Sequence, residues 1–228
     1  MESIVISIGG SVLFSDDTDT SFFKKLDGLL KKYSEKYRIY CVVGGGKTAR
    51  KYIKLGRTLG LDEKKLDEIG IEITRLNAKI LTYVVKNSNN KIPHNTEDAK
   101  NMKGYPIIIM GGTTPGHSTD MVGAELASIV DASMYIIATN VDGIYDKDPN
   151  KYKDAKKIDE IEIDNLIKNY GTKWNKAGKN IVIDGPSLNI IKKAKIPTFV
   201  LNGKKLDQLE KAIDNQVFTG TIIKNTKR

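Results

Sequence analysis

A hydrophobic run that ends in a glycine pair or triple occurs three times in the 228-residue chain: Ile4–Gly10 (IVISIGG), Ile39–Gly46 (IYCVVGGG) and Ile107–Gly112 (IIIMGG). Each run is short and rich in Ile and Val, the composition of a strand buried on both faces of a parallel sheet. Each glycine cluster stands where such a strand leaves the sheet. Glycine there lets backbone N–H groups approach a ligand with no Cβ in the way, and a following helix adds its positive N-terminal end. The ligand this arrangement suits is a phosphate.

Between these runs the hydrophobic period changes to that of helices. The first glycine pair leads into a polar, acidic stretch, Ser11–Thr20, and then a helix over Ser21–Tyr33. The second leads into a helix over Lys47–Leu59, where Ala49, Tyr52, Ile53, Leu55 and Leu59 can share a face. A longer helix is expected over Glu63–Lys86, with Leu66, Ile69, Ile73, Leu76, Ile80, Leu81 and Val84 at three- and four-residue steps. Ile92–Lys103 reads as a short helical or irregular return. After the third strand, Tyr105–Met110, come the loop GGTTPGHSTD, a helix over Asp120–Val130 and a fourth strand, Met134–Thr139. Strands and helices alternate, as in a parallel α/β sheet. Val141–Lys157 has turn chemistry throughout and reads as an exposed excursion. Helices near Ile163–Tyr170, Pro186–Ala194 and Leu206–Ile213, a loop at Gly171–Asn180, and strands at Thr198–Leu201 and Thr221–Ile223 complete the chain. A single domain spanning 1–228 is expected.

The formal charge of +9, from 37 Lys and Arg against 28 Asp and Glu, comes from lysines scattered along the chain. A basic block and the usual nucleic-acid modules are both missing, so the charge is read as a solvated surface that attracts anionic small molecules such as nucleotides. Cys41, the sole cysteine, lies inside the second hydrophobic run and reads as a core thiol. No secretory leader and no membrane-spanning apolar segment are visible, which places the expected protein in the cytoplasm.

Gly46-Lys47-Thr48 has the end of a Walker A motif but not its spacing, because the position of its first glycine is Cys41, inside the strand. The dinucleotide fingerprint G-x-G-x-x-G is missing too. Arg50, one turn into the next helix, is either a surface residue or a guanidinium reaching a phosphate at the helix start. Gly111–Asp120 carries many small donors and little to pack, as a ligand-binding loop does. His117 in it reads as a neutral hydrogen-bonding or solvated imidazole, with no partner ligands for a metal. Thr139-Asn140 at the end of the fourth strand, followed by Tyr145 as a flat surface and Asp148 as an acceptor, suits a purine nucleoside.

Four segments in this order, IGGS at Ile8–Ser11, VVGGGKTARKYI at Val42–Ile53, GGTTPGHSTD and TNVDGIYDKDP, together with DEIGIEITRLNA at Asp67–Ala78, resemble the amino acid kinase family, and within it the archaeal branch that phosphorylates UMP. The resemblance runs almost the whole length. It implies a three-layer αβα sandwich around a largely parallel sheet of about eight strands. By this resemblance Gly9, Gly10 and Ser11 line the ATP phosphates, and Gly46 and Arg50 flank the transferring phosphoryl group with Gly45 on the UMP side. Asp67 matches the acidic group that binds the UMP ribose. Thr113, Thr114, Pro115, Gly116, His117, Ser118 and Thr119 match the uridylate loop, and Thr139, Asn140, Tyr145 and Asp148 the ATP nucleoside contacts. Arg50, Asp120 and Asp184 are the implied catalytic group, Mg2+ accompanies ATP without assigned protein ligands, and the implied assembly is a homohexamer.

One position departs from the family pattern. Many members carry a lysine just before the first glycine pair, and here that residue is Ser7. Arg50, Lys47, Lys51 or a lysine of Lys176–Lys179 could supply the missing charge. The resemblance implies in-line transfer of the ATP γ-phosphoryl group to UMP. The acceptor is already an anionic phosphate oxygen, so no Ser/His/Asp or carboxylate dyad is needed as a strong base. Two alternatives stand beside it: another small-molecule kinase of this fold, such as an isopentenyl phosphate kinase, and a non-catalytic nucleotide sensor, for which Ser7 is the supporting observation.

Overall fold

The computed structural model describes residues 1–15, 19–171 and 183–225. In chain order its elements are β1 (Glu2–Ile8), α1 (Gly10–Leu13), α2 (Thr20–Tyr33), β2 (Tyr37–Val43), α3 (Gly46–Thr58), α4 (Glu63–Val84), α5 (Thr96–Asn101), β3 (Ile107–Met110), α6 (Thr119–Ile129) and β4 (Met134–Thr139). They are followed by β5 (Ile144–Tyr145), β6 (Lys157–Ile158), β7 (Glu160–Glu162), α7 (Ile163–Tyr170), α8 (Gly185–Ala194), β8 (Thr198–Asn202), α9 (Leu206–Ile213) and β9 (Gly220–Lys224).

Seven strands form one sheet in the order β3-β2-β1-β4-β8-β9-β7, and β5 and β6 form a separate antiparallel ribbon. The pairs β3/β2, β2/β1, β1/β4 and β4/β8 are parallel, and only β8/β9 is antiparallel. The chain order reverses on either side of β1, whose neighbours are β2 and β4. Crevices outside the carboxyl ends of strands at such a switch point are where open α/β sheets bind ligands.

Side-chain alternation along the strands sorts the core into two layers. Ile4, Ile6 and Ile8 of β1, with Ile39, Cys41 and Val43 of β2, pack under α2, α4 and α9. Val5, Tyr40, Val42, Tyr135 and Ile137 face α5, α6, α7 and α8 on the other side. This is the expected αβα sandwich. Cys41 is fully buried, and burial pushes its thiol up to about 12, which leaves it an inert core residue.

Several expectations change. The main sheet has seven strands among the described residues, and β5 and β6 form the small ribbon apart from it. That segment is not simply exposed: Ile144 is buried, and its N–H donates to Thr221 Oγ1 at 2.8 Å. Ser11–Thr20 is not wholly a polar loop either, since α1 begins at Gly10 and buries Val12 and Leu13. The buried face of α4 is Leu66, Ile71, Thr74, Asn77, Ala78 and Leu81, whereas Leu76 and Ile80, read as part of a core stripe, are 54% and 40% exposed. On α3 the buried residues are Ala49, Ile53 and Gly56, and Tyr52 and Leu55, with Leu59 at the C-cap, face outward. Asn89, in the turn after α4, acts as a surrogate strand at the β3 edge: its amide donates to Ile109 O at 2.9 Å and accepts from Ile109 N at 2.6 Å.

Close packing of α6 on β4 fixes one side of the cleft. A Cβ on Gly123 would lie 2.5 Å from the Tyr135 hydroxyl and 2.9 Å from its ring, and that hydroxyl donates to Asp120 O at 2.9 Å. We predict that Gly123→Ala destabilises the protein by about 1–3 kcal/mol despite its gain in helix propensity, because the clash forces helix or ring to move. Urea unfolding measures this; a variant as stable as wild type would contradict it.

Candidate active site

Because β1, β2, β3, β4 and β8 run parallel, the loops that follow them open on the same edge of the sheet. Backbone hydrogen bonds carry the strand ladder one step into these loops: Gly44 N donates to Ile8 O and Gly9 N to Ala138 O, both at 2.9 Å, and Gly203 N to Thr139 O at 2.8 Å. The first two glycine loops then touch. A Cβ on Gly10 would lie 2.3 Å from Gly46 N and 2.4 Å from Gly44 O. Gly46 has φ +63, and a Cβ there would lie 2.6 Å from the Gly10 carbonyl carbon. The glycines are therefore required by contact between loops as well as by backbone conformation. α3 starts at this junction with Gly45 as its N-cap and no side-chain cap hydrogen bond, which sets the positive end of the helix at the meeting of the two loops. Arg50 is exposed on the same helix.

The third loop, expected to bind the acceptor, is tied to α4. Gly116, at φ +87, donates its N–H to Asp67 Oδ2 at 2.7 Å. Gly112 N donates to Thr74 Oγ1 at 2.6 Å, and the Thr74 hydroxyl donates onward to Ile71 O. Arg75 donates from Nε to Gly112 O at 3.2 Å and from Nη2 to Thr113 O at 3.1 Å. His117 N closes a turn onto Thr114 O at 3.2 Å. The imidazole Nδ1 lies 3.3 Å from Glu125 Oε1, near enough for an ion pair when protonated but not aligned for a hydrogen bond. Ser118 caps α6, accepting from Met121 N at 2.9 Å, and its hydroxyl donates to Asp184. Asp67 and the loop Thr113–Thr119 are thus brought together through Gly116. Thr74, Arg75 and Asn77 were missed, since polar residues in an apolar-striped helix read as its outer face.

On the other side of β1 the expected nucleoside contacts lie on and after β4. Thr139 Oγ1 is 3.4 Å from Asn140 Oδ1. Asp142 accepts from Asn202 Nδ2 at 3.0 Å and pairs with Lys205 at 2.8 Å; the Lys205 ammonium, with help from Asn202, holds its carboxyl below the usual range. Tyr145 is placed by the β5–β6 ribbon opposite Lys157. Asp148 Oδ1 is engaged in its own turn, accepting from Asn150 N at 3.0 Å.

Beneath the loop junction, two carboxyl groups of the expected catalytic set lie near each other. Ser7 stands on the same face of β1 as Val5, toward α6, and its hydroxyl donates to Asp120 Oδ1 at 2.7 Å. Asp184 caps α8, accepting from Ser187 N at 2.8 Å and Ser187 Oγ at 2.6 Å. Burial raises the Asp120 carboxyl to about 7, the neighbouring Asp184 adding to the rise and the Ser7 hydroxyl opposing it. Lys47 and Lys51 lie on α3 with Arg50, and Lys176–Lys179 lies outside the described residues. No helix among the described residues is long and apolar enough to cross a membrane.

Comparison with known proteins agrees with this geometry. The sequence is 43% identical to the uridylate kinase of Methanobrevibacter smithii over 215 residues, covering 93% of this chain and 95% of the relative. It is 43% identical to the uridylate kinase of Thermoplasma volcanium over 221 residues, covering 96% of each. The crystal structure of uridylate kinase from Archaeoglobus fulgidus superposes with a TM-score of 0.85 at 36% identity, covering 97% of this chain and 99% of that one. The family model for the amino acid kinase family matches residues 2–202. On these grounds, and on the seven-stranded αβα sandwich with three glycine loops at one edge, the chain belongs to the amino acid kinase family.

Proposed function

We propose that this chain is an ATP:UMP phosphotransferase, moving the γ-phosphoryl group of ATP to the 5′-phosphate of UMP to give UDP and ADP for pyrimidine nucleotide synthesis. The observation that carries the reading is the acceptor loop, Gly111–Thr119, fastened to α4 by Asp67 and Thr74 beside the junction of Gly10 with Gly46. Identity of 38–43% to archaeal uridylate kinases over nearly the full length supports the choice of substrate.

In this reading, Gly9, Gly10 and Ser11 cradle the ATP phosphates, and Thr139, Asn140, Tyr145 and Asp148 hold its nucleoside. Gly45, Asp67 and Thr113–Thr119 hold UMP. The attacking phosphate oxygen is anionic, so catalysis is positioning and charge neutralisation rather than proton removal. The N–H groups at the start of α3 and the Arg50 guanidinium meet the charge on the phosphoryl group in flight. Among the described residues no group of three or more His, Cys, Asp or Glu side chains could form a protein-only metal cage. In this reading Mg2+ enters with ATP, since it binds chiefly through substrate phosphates and keeps several waters. When bound with ATP, Mg2+ neutralises phosphate charge, and no protein ligand is assigned to it.

Asp120 and Asp184 sit below the phosphoryl path, where a cation is wanted and extra negative charge is not. A raised carboxyl pKa keeps Asp120 partly neutral near pH 7, which suits a site that must receive two polyanions. The domain spans residues 1–228 in this proposal, acts in the cytoplasm and assembles as a hexamer. The apolar rows exposed on α3 and its C-cap (Tyr52, Leu55, Leu59) and α4 (Leu76, Ile80, Tyr83) support self-association.

ADP release measured with UMP, CMP, isopentenyl phosphate and acetylglutamate as acceptors tests the reaction. UMP is expected to be used at least about tenfold better in kcat/KM than the other three; nucleotide binding with no turnover of UMP would favour a sensor and sink the proposal. A second prediction concerns stability. A carboxyl whose folded pKa is raised from 3.8 to about 7 binds its proton more tightly when folded, so its contribution is fully present below 3.8 and is lost as pH rises toward 7. Asp120→Asn should therefore gain stability relative to wild type between pH 5 and pH 8, by roughly 2–3 kcal/mol at about 1.4 kcal/mol per pH unit. Urea unfolding of both proteins at the two pH values measures it, and an unchanged difference would show that Asp120 ionises normally.

A further inference from the structure

Asn77 is a buried amide on the inner face of α4, between Thr74 and Leu81. Its Nδ2 donates to Gly44 O at 2.9 Å and reaches Gly45 O at 3.4 Å. Both neighbours are carbonyl oxygens, so only the NH2 end of the amide fits there. No peptide bond in the described chain is cis. In a trans peptide the C=O and the following N–H point in opposite directions. Holding the carbonyls of Gly44 and Gly45 toward α4 therefore turns the N–H groups of Gly45 and Gly46 away from it. A Cβ on Gly10 would meet Gly46 N at 2.3 Å and Gly44 O at 2.4 Å, so the peptide groups that Asn77 holds stand at the junction of the first two loops.

We propose that Asn77 is a positioning residue for phosphoryl transfer: it fixes the direction of the Gly45 and Gly46 N–H groups toward the cleft and sets their register against the acceptor loop. The register follows from the helix. Thr74, three residues before Asn77, receives Gly112 N, so the acceptor loop and the transfer loop are indexed to one helix face about 4.5 Å apart along its axis. A buried amide is costly unless its bonds are made. An apolar residue would fill the same space, but it would take the donor away from Gly44 O; Gly45 O would keep its bond from Ala49 N at 3.2 Å.

The proposal rests on the phosphotransferase reading, so wild-type turnover of UMP is measured beside the variants. Asn77→Asp replaces the donor with an acceptor of the same shape. Its kcat should fall at least about 30-fold while KM for ATP stays within about threefold, because the groups read as cradling ATP, Gly9, Gly10 and Ser11 with the nucleoside contacts, are untouched. The deficit should shrink as pH is lowered, since a protonated carboxyl donates again. Asn77→Ala, which adds no charge, should lose kcat in the same way without the rescue at low pH. Amide hydrogen exchange at Gly45 and Gly46 should quicken at least about tenfold in Asn77→Ala, with Val42 and Val43 unchanged. Folded variants that keep kcat within about threefold of wild type would overturn the proposal. So would failure of both variants to fold, which would make Asn77 a residue of the fold alone. If wild type does not turn over UMP, the phosphotransferase reading fails, and exchange at Gly45 and Gly46 still decides whether Asn77 positions these amides.

Discussion

Two backbone loops meet where no side chain could be accommodated. A Cβ on Gly10 or on Gly46 would fall inside the other loop, and this contact brings the ends of β1 and β2 together at the switch point of the sheet. Much of the remaining structure serves that contact. The parallel register of β1 with β2 and with β4 brings the loops to one edge, and the bonds Gly44 N to Ile8 O and Gly9 N to Ala138 O hold them there. α4 then fastens the second loop through Asn77 and the third through Thr74, Arg75 and Asp67. In the proposed function the two polyanions meet backbone N–H groups whose directions are set by neighbouring elements, the arrangement electrostatic preorganisation calls for.

The charge balance beneath the loops is the less usual part. With Ser7 in place of a lysine, Asp120 meets a neutral donor, and burial raises its pKa. Burial thus favours the neutral carboxyl over the anion. Ser7 also ties the first strand to α6, beside the apolar contact that Val5 makes with the same helix.

Much of this was legible from residue pattern. Runs such as IVISI and IIIM mark buried strands because β-branched residues suit a sheet covered on both faces, and the glycines after them mark the loops. The helix over Leu206–Ile213 and the strand Met134–Thr139 stand where periodicity places them. What was not legible depends on distant partners. β5 pairs with β6 only because Ile144 finds Ile158. Ser7 meets Asp120 across 113 residues. On α4 the three-and-four spacing of Leu76 and Ile80 is as regular as that of the true core face, and the polar Thr74 and Asn77 conceal that face. Burial of a polar side chain for the sake of a backbone loop leaves no hydrophobic signal.

A crystal structure with UMP and a non-hydrolysable ATP analogue tests the central claim most directly. The γ-phosphate is predicted between Gly10 and Gly46, with the Gly45 and Gly46 amides aimed at it and the UMP phosphate on the Gly45 side. A γ-phosphate bound away from the Gly10–Gly46 junction, or a UMP phosphate outside the loop held by Asp67 and Thr74, would contradict it.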